Sequence, residues 1–358
     1  MDKTIEYTTI DEQLSMLKAR NLIINDDDFA AEQLKKFGYY NIINSYKSPY
    51  LIEKNGKKIY KDNTSFEQIF SLFTFDHNLR NAIMSAMLAL EEHIKAAAAE
   101  VIASSYGTDQ NTYLQWKNYR DRKVSHSRFG LKGILETLQK NCFSDKDPIK
   151  YYRETYGIIP PWILFKGTYF STMINYIKVF KNKEKSQFAK LMFECSDELS
   201  NSRDVKTLLS DTLSICLEYR NLAAHGGRVY NYTPNSNLGV TDFSSVSTLS
   251  PIVYDLPKKR GLSLLLNLLD LFPYKQPFDI IDNTLTSELN RHLNQFEQDL
   301  DFLGDTLNLI IFSEREDAIF IDGIEYPIKA RKQSGFSGLL ITDMPDALKE
   351  KWIKRSEQ

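Results

Sequence analysis

The chain has 358 residues, 42% of them hydrophobic and 12% aromatic, which is enough apolar material for one large core or two modest ones and excludes a disordered chain. Its 45 basic and 47 acidic side chains leave a net charge of −2, so no global basic field attracts nucleic acid and any such contact has to be local. Three cysteines, Cys142, Cys195 and Cys216, lie far apart without ligand-like spacing, which suits a reducing cytoplasm and argues against a metal site.

The N-terminus lacks the basic-then-apolar pattern of a leader, and the most apolar run, Leu262 to Phe272, is too short to span a bilayer. A soluble, cytoplasmic protein without membrane contact is expected. From Thr8 to Ala19, Ile10, Leu14 and Leu17 recur at helical spacing, with Thr9 and Glu12 placed as a capping box. A second helix is expected over Phe29 to Phe37, stopped by Gly38. The tyrosine-rich run Tyr39 to Lys47 suits either core-edge packing or base stacking, the first being the commoner use of such rings. Asn55-Gly56 suggests a small hairpin within Lys54 to Lys61. A strong helical pattern then runs from Ser65 to Ala103, as one long helix or two separated by a kink.

The segment Trp116 to Arg128 mixes two aromatics with five cations, and Arg120, Arg122, Lys123 and Arg128 are its candidates for holding a phosphate backbone. A solvated loop explains it equally well. Arg120 and His126 form a loose pair in a polar loop and read as a decoy. Ile149 to Tyr156 predicts a helix ended by Gly157, and Trp162 to Phe180 a core helix, with Trp162 to Phe165 buried and Gly167 permitting close approach.

Asp204 to Glu218 has one apolar face, and the helix it predicts ends in Arg220-Asn221-Leu222-Ala223-Ala224-His225-Gly226-Gly227. A cation, an amide and an imidazole therefore meet at one helix terminus. Arg220 and His225 stand about 7.5 Å apart along the axis and roughly 140° apart around it. One chain then offers half a site, completed more naturally by a second copy across a two-fold axis. Arg228 and Tyr230, just beyond, are candidate RNA contacts. Residues Thr233 to Pro257 suggest an extended loop with strand pieces at Val240 and Ile252 to Tyr254. Helices are expected over Leu262 to Phe272 and Thr286 to Leu303. After Gly304 two β-like runs, Leu307 to Phe312 and Ala318 to Ile321, precede a turn at Asp322-Gly323, a third run at Ile324 to Ala330 and a helix from Pro345 to Lys354.

An Arg, four residues and a His ahead of a helix-ending glycine resembles the signature of the HEPN superfamily, whose active members cut RNA without a metal. The order Gly38-Tyr39-Tyr40, Phe75-Asp76-His77-Asn78-Leu79-Arg80, Leu90 to Lys95, Pro160-Pro161-Trp162 and Arg220 to His225 resembles the Abi family of abortive-infection proteins, of the AbiD and AbiF type, over residues 8 to 235. His77 stands where members usually carry Arg or Lys. The resemblance implies a mainly α protein with four parts: an N-terminal helical region (1–60), a HEPN-like helical bundle (61–235), a loop with additional helices (236–303) and a small C-terminal β element (304–358). It implies an anti-phage toxin that is a metal-independent endoribonuclease and homodimer, with no metal and no cofactor. Arg220, Asn221 and His225 would be the catalytic residues, and RNA the substrate and a candidate regulator. The competing expectation is a non-catalytic module that binds RNA or a phage protein and controls growth arrest.

Overall fold

The computed structural model describes residues 7–121, 126, 129–321, 323–336, 338, 340–342, 344, 346 and 348–350. Helix α1 (Ile10–Lys18) begins at the expected capping box, in which Thr9 Oγ1 accepts the Glu12 N–H and Glu12 Oε2 accepts the Thr9 N–H at 2.8 Å. Helix α2 (Asp27–Phe37) is capped by Asp26, whose carboxylate accepts from Phe29 N at 2.9 Å, and stops at Gly38 with φ +85°. The tyrosine-rich run after it forms a π-helical turn, Tyr40–Asn44. Ile42, Ile43 and Tyr46 of this run are buried, and the Tyr46 hydroxyl donates to Asp76 Oδ2 at 2.6 Å. Strands β1 (Leu51–Lys54) and β2 (Lys57–Tyr60) form the hairpin, with Asn55 and Gly56 both at positive φ as a type I′ turn requires. One continuous helix, α3 (Phe66–Tyr106), then accounts for the long periodic segment.

Short helices follow: α4 (Gln110–Tyr113), α5 (Leu131–Asn141), α6 (Ile149–Tyr156) ended by left-handed Gly157, α7 (Pro161–Leu164), α8 (Phe170–Lys178), α9 (Asn182–Phe193) and α10 (Asp197–Asn201). Then come α11 (Arg203–Ala224), α12 (Gly261–Asp270), α13 (Gln276–Leu293) and α14 (Leu300–Leu307), before an antiparallel sheet of β3 (Phe312–Ile321), β4 (Ile324–Gln333) and β5 (Leu340–Thr342) in the order β3-β4-β5. The fold is mainly α with a small C-terminal β element. Two compact units divide it, one of Met1–Leu79 with Asn283–Gln358 and the other of Arg80–Asp282. The first and last parts of the chain thus share a unit, a grouping that sequence order alone does not suggest.

Several expectations need correction. The single core helix over Trp162 to Phe180 is broken into α7, a 3₁₀ turn at Phe165–Gly167 and α8. Thr168 is extended there and bonds the Leu164 carbonyl through its hydroxyl, while a Cβ on Gly167 would lie 2.9 Å from Ile149 Cδ1. Packing of α6 on this turn therefore overrides helix continuity. Trp162 is 45% exposed rather than buried, although Ile163, Leu164 and Phe165 are in the core. The helix expected over Thr286 to Leu303 breaks between α13 and α14, where Asp299 is drawn inward to accept hydrogen bonds from Tyr50 and Gln68. The strand pieces at Val240 and Ile252 to Tyr254 are absent; the described loop instead carries 3₁₀ turns, Phe243–Val246 and Pro251–Lys258, capped by Asp242 and Ser250. Leu307 closes α14, Asn308 is left-handed, and the first strand starts only at Phe312. Of the C-terminal helix, 346 and 348–350 are helical and the rest lies outside the described residues.

Candidate functional site

Helix α11 is held by its apolar face. Val205, Leu208, Leu209, Leu213, Ile215, Cys216 and Tyr219 are all buried, and each such Leu or Ile contributes about 1.5–3 kcal/mol relative to exposure. That face fixes where the polar end of the helix lies. His225 is the C-cap, with its N–H on the Asn221 carbonyl at 3.1 Å. Gly226 follows at φ +73°, its N–H bonded to Ala223 O at 3.2 Å, and the Gly227 N–H reaches back to Leu222 O at 2.9 Å. These two bonds make a Schellman motif, which turns the chain sharply and leaves the His225 side chain exposed.

Arg220 is half-buried. Its Nη1 donates to Asn221 Oδ1 at 3.3 Å, while its buried Nε has no acceptor among the described residues. A buried donor left this way costs about 1–3 kcal/mol. A second guanidinium comes from α3: Arg80 Nη1 donates to the Gly226 carbonyl at 2.8 Å, a cation set against the negative end of α11. Sequence reasoning assigned Arg80 no role. The available signal was its place in the Phe75 to Arg80 stretch.

The chain beyond the glycines is tied back to α11. Glu218 accepts from the Tyr232 hydroxyl and the Asn235 N–H, both at 2.7 Å, and from the Ser236 N–H at 2.9 Å. Burial alone would raise the Glu218 carboxyl, but these donors outweigh it and hold the group below its ordinary range. Burial, followed by the bond to Glu218, pushes the Tyr232 phenol up to about 12. Tyr219 donates to the Tyr232 carbonyl at 3.2 Å, and the two rings meet edge-on at 5.2 Å. The terminus is thus clamped on both sides.

The expected residues separate in space. Arg220, Asn221 and His225 share the end of α11, and Arg228 is exposed three residues on. Tyr230 is a correction: at 2% exposure its ring is packed in the core and presents no face to a base. Arg120 belongs to another place, the wall of a cavity that also includes Arg203 and Lys206 of α11. Lys206 precedes Arg220 by 14 residues, about 21 Å along the helix. Arg122, Lys123 and Arg128 lie outside the described residues. Burial raises Cys142 to about 11 and Cys216 to about 12, so neither is a thiolate near neutral pH. Among the described residues no helix is long and apolar enough to cross a membrane.

A different constellation invites comparison with a catalytic triad. Ser71 Oγ lies 2.9 Å from His292 Nδ1, and His292 Nε2 lies 2.9 Å from Asp299 Oδ2. Ser71 is only 5% exposed, however, and Arg291 Nη1 donates to the same hydroxyl at 3.0 Å. With the hydroxyl buried and bonded on both sides, the group is arranged as a buried strut. Asp76, fully buried on Tyr46, and Lys95, paired with Glu91 at 2.7 Å, are likewise structural.

Fold and site together define a mainly α protein that presents guanidinium, amide and imidazole groups at one rigid helix end, a set suited to a phosphate-like anion. The chain belongs to the Abi-like protein family, whose model matches residues 32–231 and so includes Arg80 and the whole Arg220 to His225 turn. That membership supports a role in abortive infection. No curated protein and no solved structure matches the chain significantly.

Proposed function

We propose that the protein is an endoribonuclease of abortive infection and a member of the HEPN superfamily, whose centre is built from Arg220, Asn221 and His225. The observation that carries this reading is the exposed imidazole of His225 at the same helix end as Arg220, whose buried Nε has no acceptor among the described residues, an end that Arg80 and Glu218 tie down. In this reaction His225 takes the proton of a ribose 2′-OH, and the oxygen attacks the adjacent phosphate. The guanidinium of Arg220 stabilises the charge that builds on the phosphorane-like transition state, and Asn221 orients a phosphate oxygen. A second group protonates the leaving 5′-oxygen. The products are a 2′,3′-cyclic phosphate and a 5′-hydroxyl, and the 2′-OH requirement makes RNA the substrate.

Because the end of α11 carries one imidazole, the second proton carrier is assigned to a second copy of the chain, in a two-fold dimer acting in the cytoplasm. Incubating purified protein with end-labelled RNA tests this. Substituting His225→Ala removes an acid–base group worth about 10²–10⁴ in rate, and Arg220→Ala about 10²–10³. Cleavage that survives in the double variant refutes the assignment. The single imidazole also favours a second reading, a module that binds RNA or a phage protein and cuts nothing. Growth arrest that persists in the double variant, with RNA retained uncut, identifies it.

A further inference from the structure

In the unit formed by Met1–Leu79 and Asn283–Gln358, three cations gather beside the β1–β2 hairpin. Arg20 donates to the Lys58 carbonyl through Nη2 at 3.1 Å and Nε at 3.3 Å, and its guanidinium carbon lies 5.4 Å from the centre of the Tyr60 ring. Side chains alternate along a strand, so Lys58 shares a face of β2 with Tyr60, about 7 Å along it. Lys47 follows the π-helical turn Tyr40–Asn44 in the tyrosine-rich run, and its ammonium donates to Asn44 Oδ1. Such turns are rare and concentrate at functional sites. Burial first, then the charges of Arg20 and Lys58, lowers the Lys47 ammonium from the ordinary lysine value. The like charges are thus close enough to work against each other.

The partners that these cations meet are all neutral. Arg20 has the Lys58 carbonyl and the Tyr60 ring, Lys47 has the Asn44 amide, and among the described residues no ion pair joins Arg20, Lys47 or Lys58 to a carboxylate. Glu53, the one acid of the hairpin, stands opposite Lys58 in register without pairing to it. The Tyr60 hydroxyl, fully buried, has no hydrogen-bond partner among the described residues. Arg20 and Lys47 are half-buried and Lys58 is exposed, so the cations stay within reach of solvent. Beyond Lys58 the turn adds Lys57 and Lys54, both exposed.

We propose that Arg20, Lys47 and Lys58 bind a backbone phosphate of single-stranded RNA. A phosphodiester brings anionic oxygens that accept from several donors at once, which a cluster rich in donors and without a paired carboxylate lacks. An open surface whose cations continue along the hairpin fits a strand passing over it better than a small molecule enclosed in a cavity. The choice of RNA over DNA rests on the nuclease reading, and the phosphate site does not. Arg220 and His225 belong to the other unit, so variants of the cluster leave the groups assigned to cleavage in place.

Fluorescence anisotropy of the full-length protein with a labelled 2′-O-methyl oligoribonucleotide about 12 nucleotides long tests it. That probe lacks the attacking hydroxyl, so binding is read whether or not the protein cleaves RNA. Lys58→Gln and Lys47→Gln are each expected to weaken binding at least about threefold, equally for uridine-rich and adenine-rich probes, and to lower the slope of log affinity against log salt by about 0.7. Thermal stability should be unchanged in Lys58→Gln, and unchanged or raised in Lys47→Gln because a repelling charge is removed. Lys35→Gln, at an exposed lysine of α2 with no part in the cluster, should alter neither affinity nor slope. Unchanged affinity and slope in both cluster variants, no binding by the parent up to about 100 μM, or an equal loss in Lys35→Gln overturns the proposal. So does an acidic peptide that competes as well as the RNA, which would make the cluster a protein-docking site. Failure to cleave unmodified RNA, with the variant effects on binding intact, refutes the nuclease reading and leaves the phosphate site standing.

Discussion

Gly226 and Gly227 look alike in the sequence, yet they are required for different reasons, and a double-mutant cycle separates them. Gly226 is needed for its backbone: φ is +73°, and an added Cβ would meet only Arg80 Nη1, at an ordinary 3.5 Å. Gly226→Ala should therefore cost about 1–2 kcal/mol, the usual penalty for an L residue in the left-handed region, and Gly226→Asn less. Gly227 is needed for space. A Cβ there would lie 2.2 Å from Leu222 Cδ1 and 2.8 Å from Leu222 Cγ, with the Leu222 carbonyl oxygen at 3.2 Å. Gly227→Ala should cost about 1–3 kcal/mol of overpacking. Leu222 is half-buried, so Leu222→Ala alone should cost about 1–2 kcal/mol. Because the Gly227 clash is mainly with the Leu222 side chain, combining Gly227→Ala with Leu222→Ala should recover about 1 kcal/mol or more. Gly226→Ala combined with Leu222→Ala should be additive within about 0.5 kcal/mol. Urea unfolding of the five variants and the parent measures both couplings. Equal coupling in the two pairs, or none in the Gly227 pair, refutes this account of the helix end.

Arg80→Ala removes the cation that holds the Gly226 carbonyl; it should lower RNA cleavage more than tenfold while costing no more than about 1–2 kcal/mol in stability, measured on the same preparation. Asp204, held below its ordinary range first by the Thr241 N–H, and Glu218, held there by its donors against burial, both favour the folded chain fully above their unfolded values. That contribution is lost as pH falls through the depressed folded values, so urea stability should be level from pH 7 to about 5 and decline below it, with Glu218→Gln flattening the decline. Ser71→Ala should lower stability by about 1–3 kcal/mol, by removing the hydroxyl that Arg291 Nη1 and His292 Nδ1 both bond, and leave RNA cleavage unchanged. A loss of cleavage without a loss of stability would instead make the buried triad-like group functional.

Local chemistry was readable wherever it is decided within a few residues. The Thr9 and Glu12 capping box, the Asn55-Gly56 hairpin turn, the Gly157 stop and the end of α11 are all set by side-chain and backbone geometry inside one turn. The helical class follows likewise from apolar periodicity. Long-range packing decided the rest. The break between α13 and α14 depends on Asp299 meeting Tyr50 and Gln68, more than 200 positions away, and the break before α8 on Ile149 lying against Gly167. Tyr230 is an ordinary amphipathic residue in sequence, and only its neighbours in space made it core. At the candidate site the sequence by itself determined that Arg220, Asn221 and His225 share a helix end, because helix pitch fixes their spacing. Only the tertiary structure brought Arg80 to the Gly226 carbonyl and Arg120 to the cavity along α11, because a contact between distant segments is set by which faces bury together and leaves no local periodic trace.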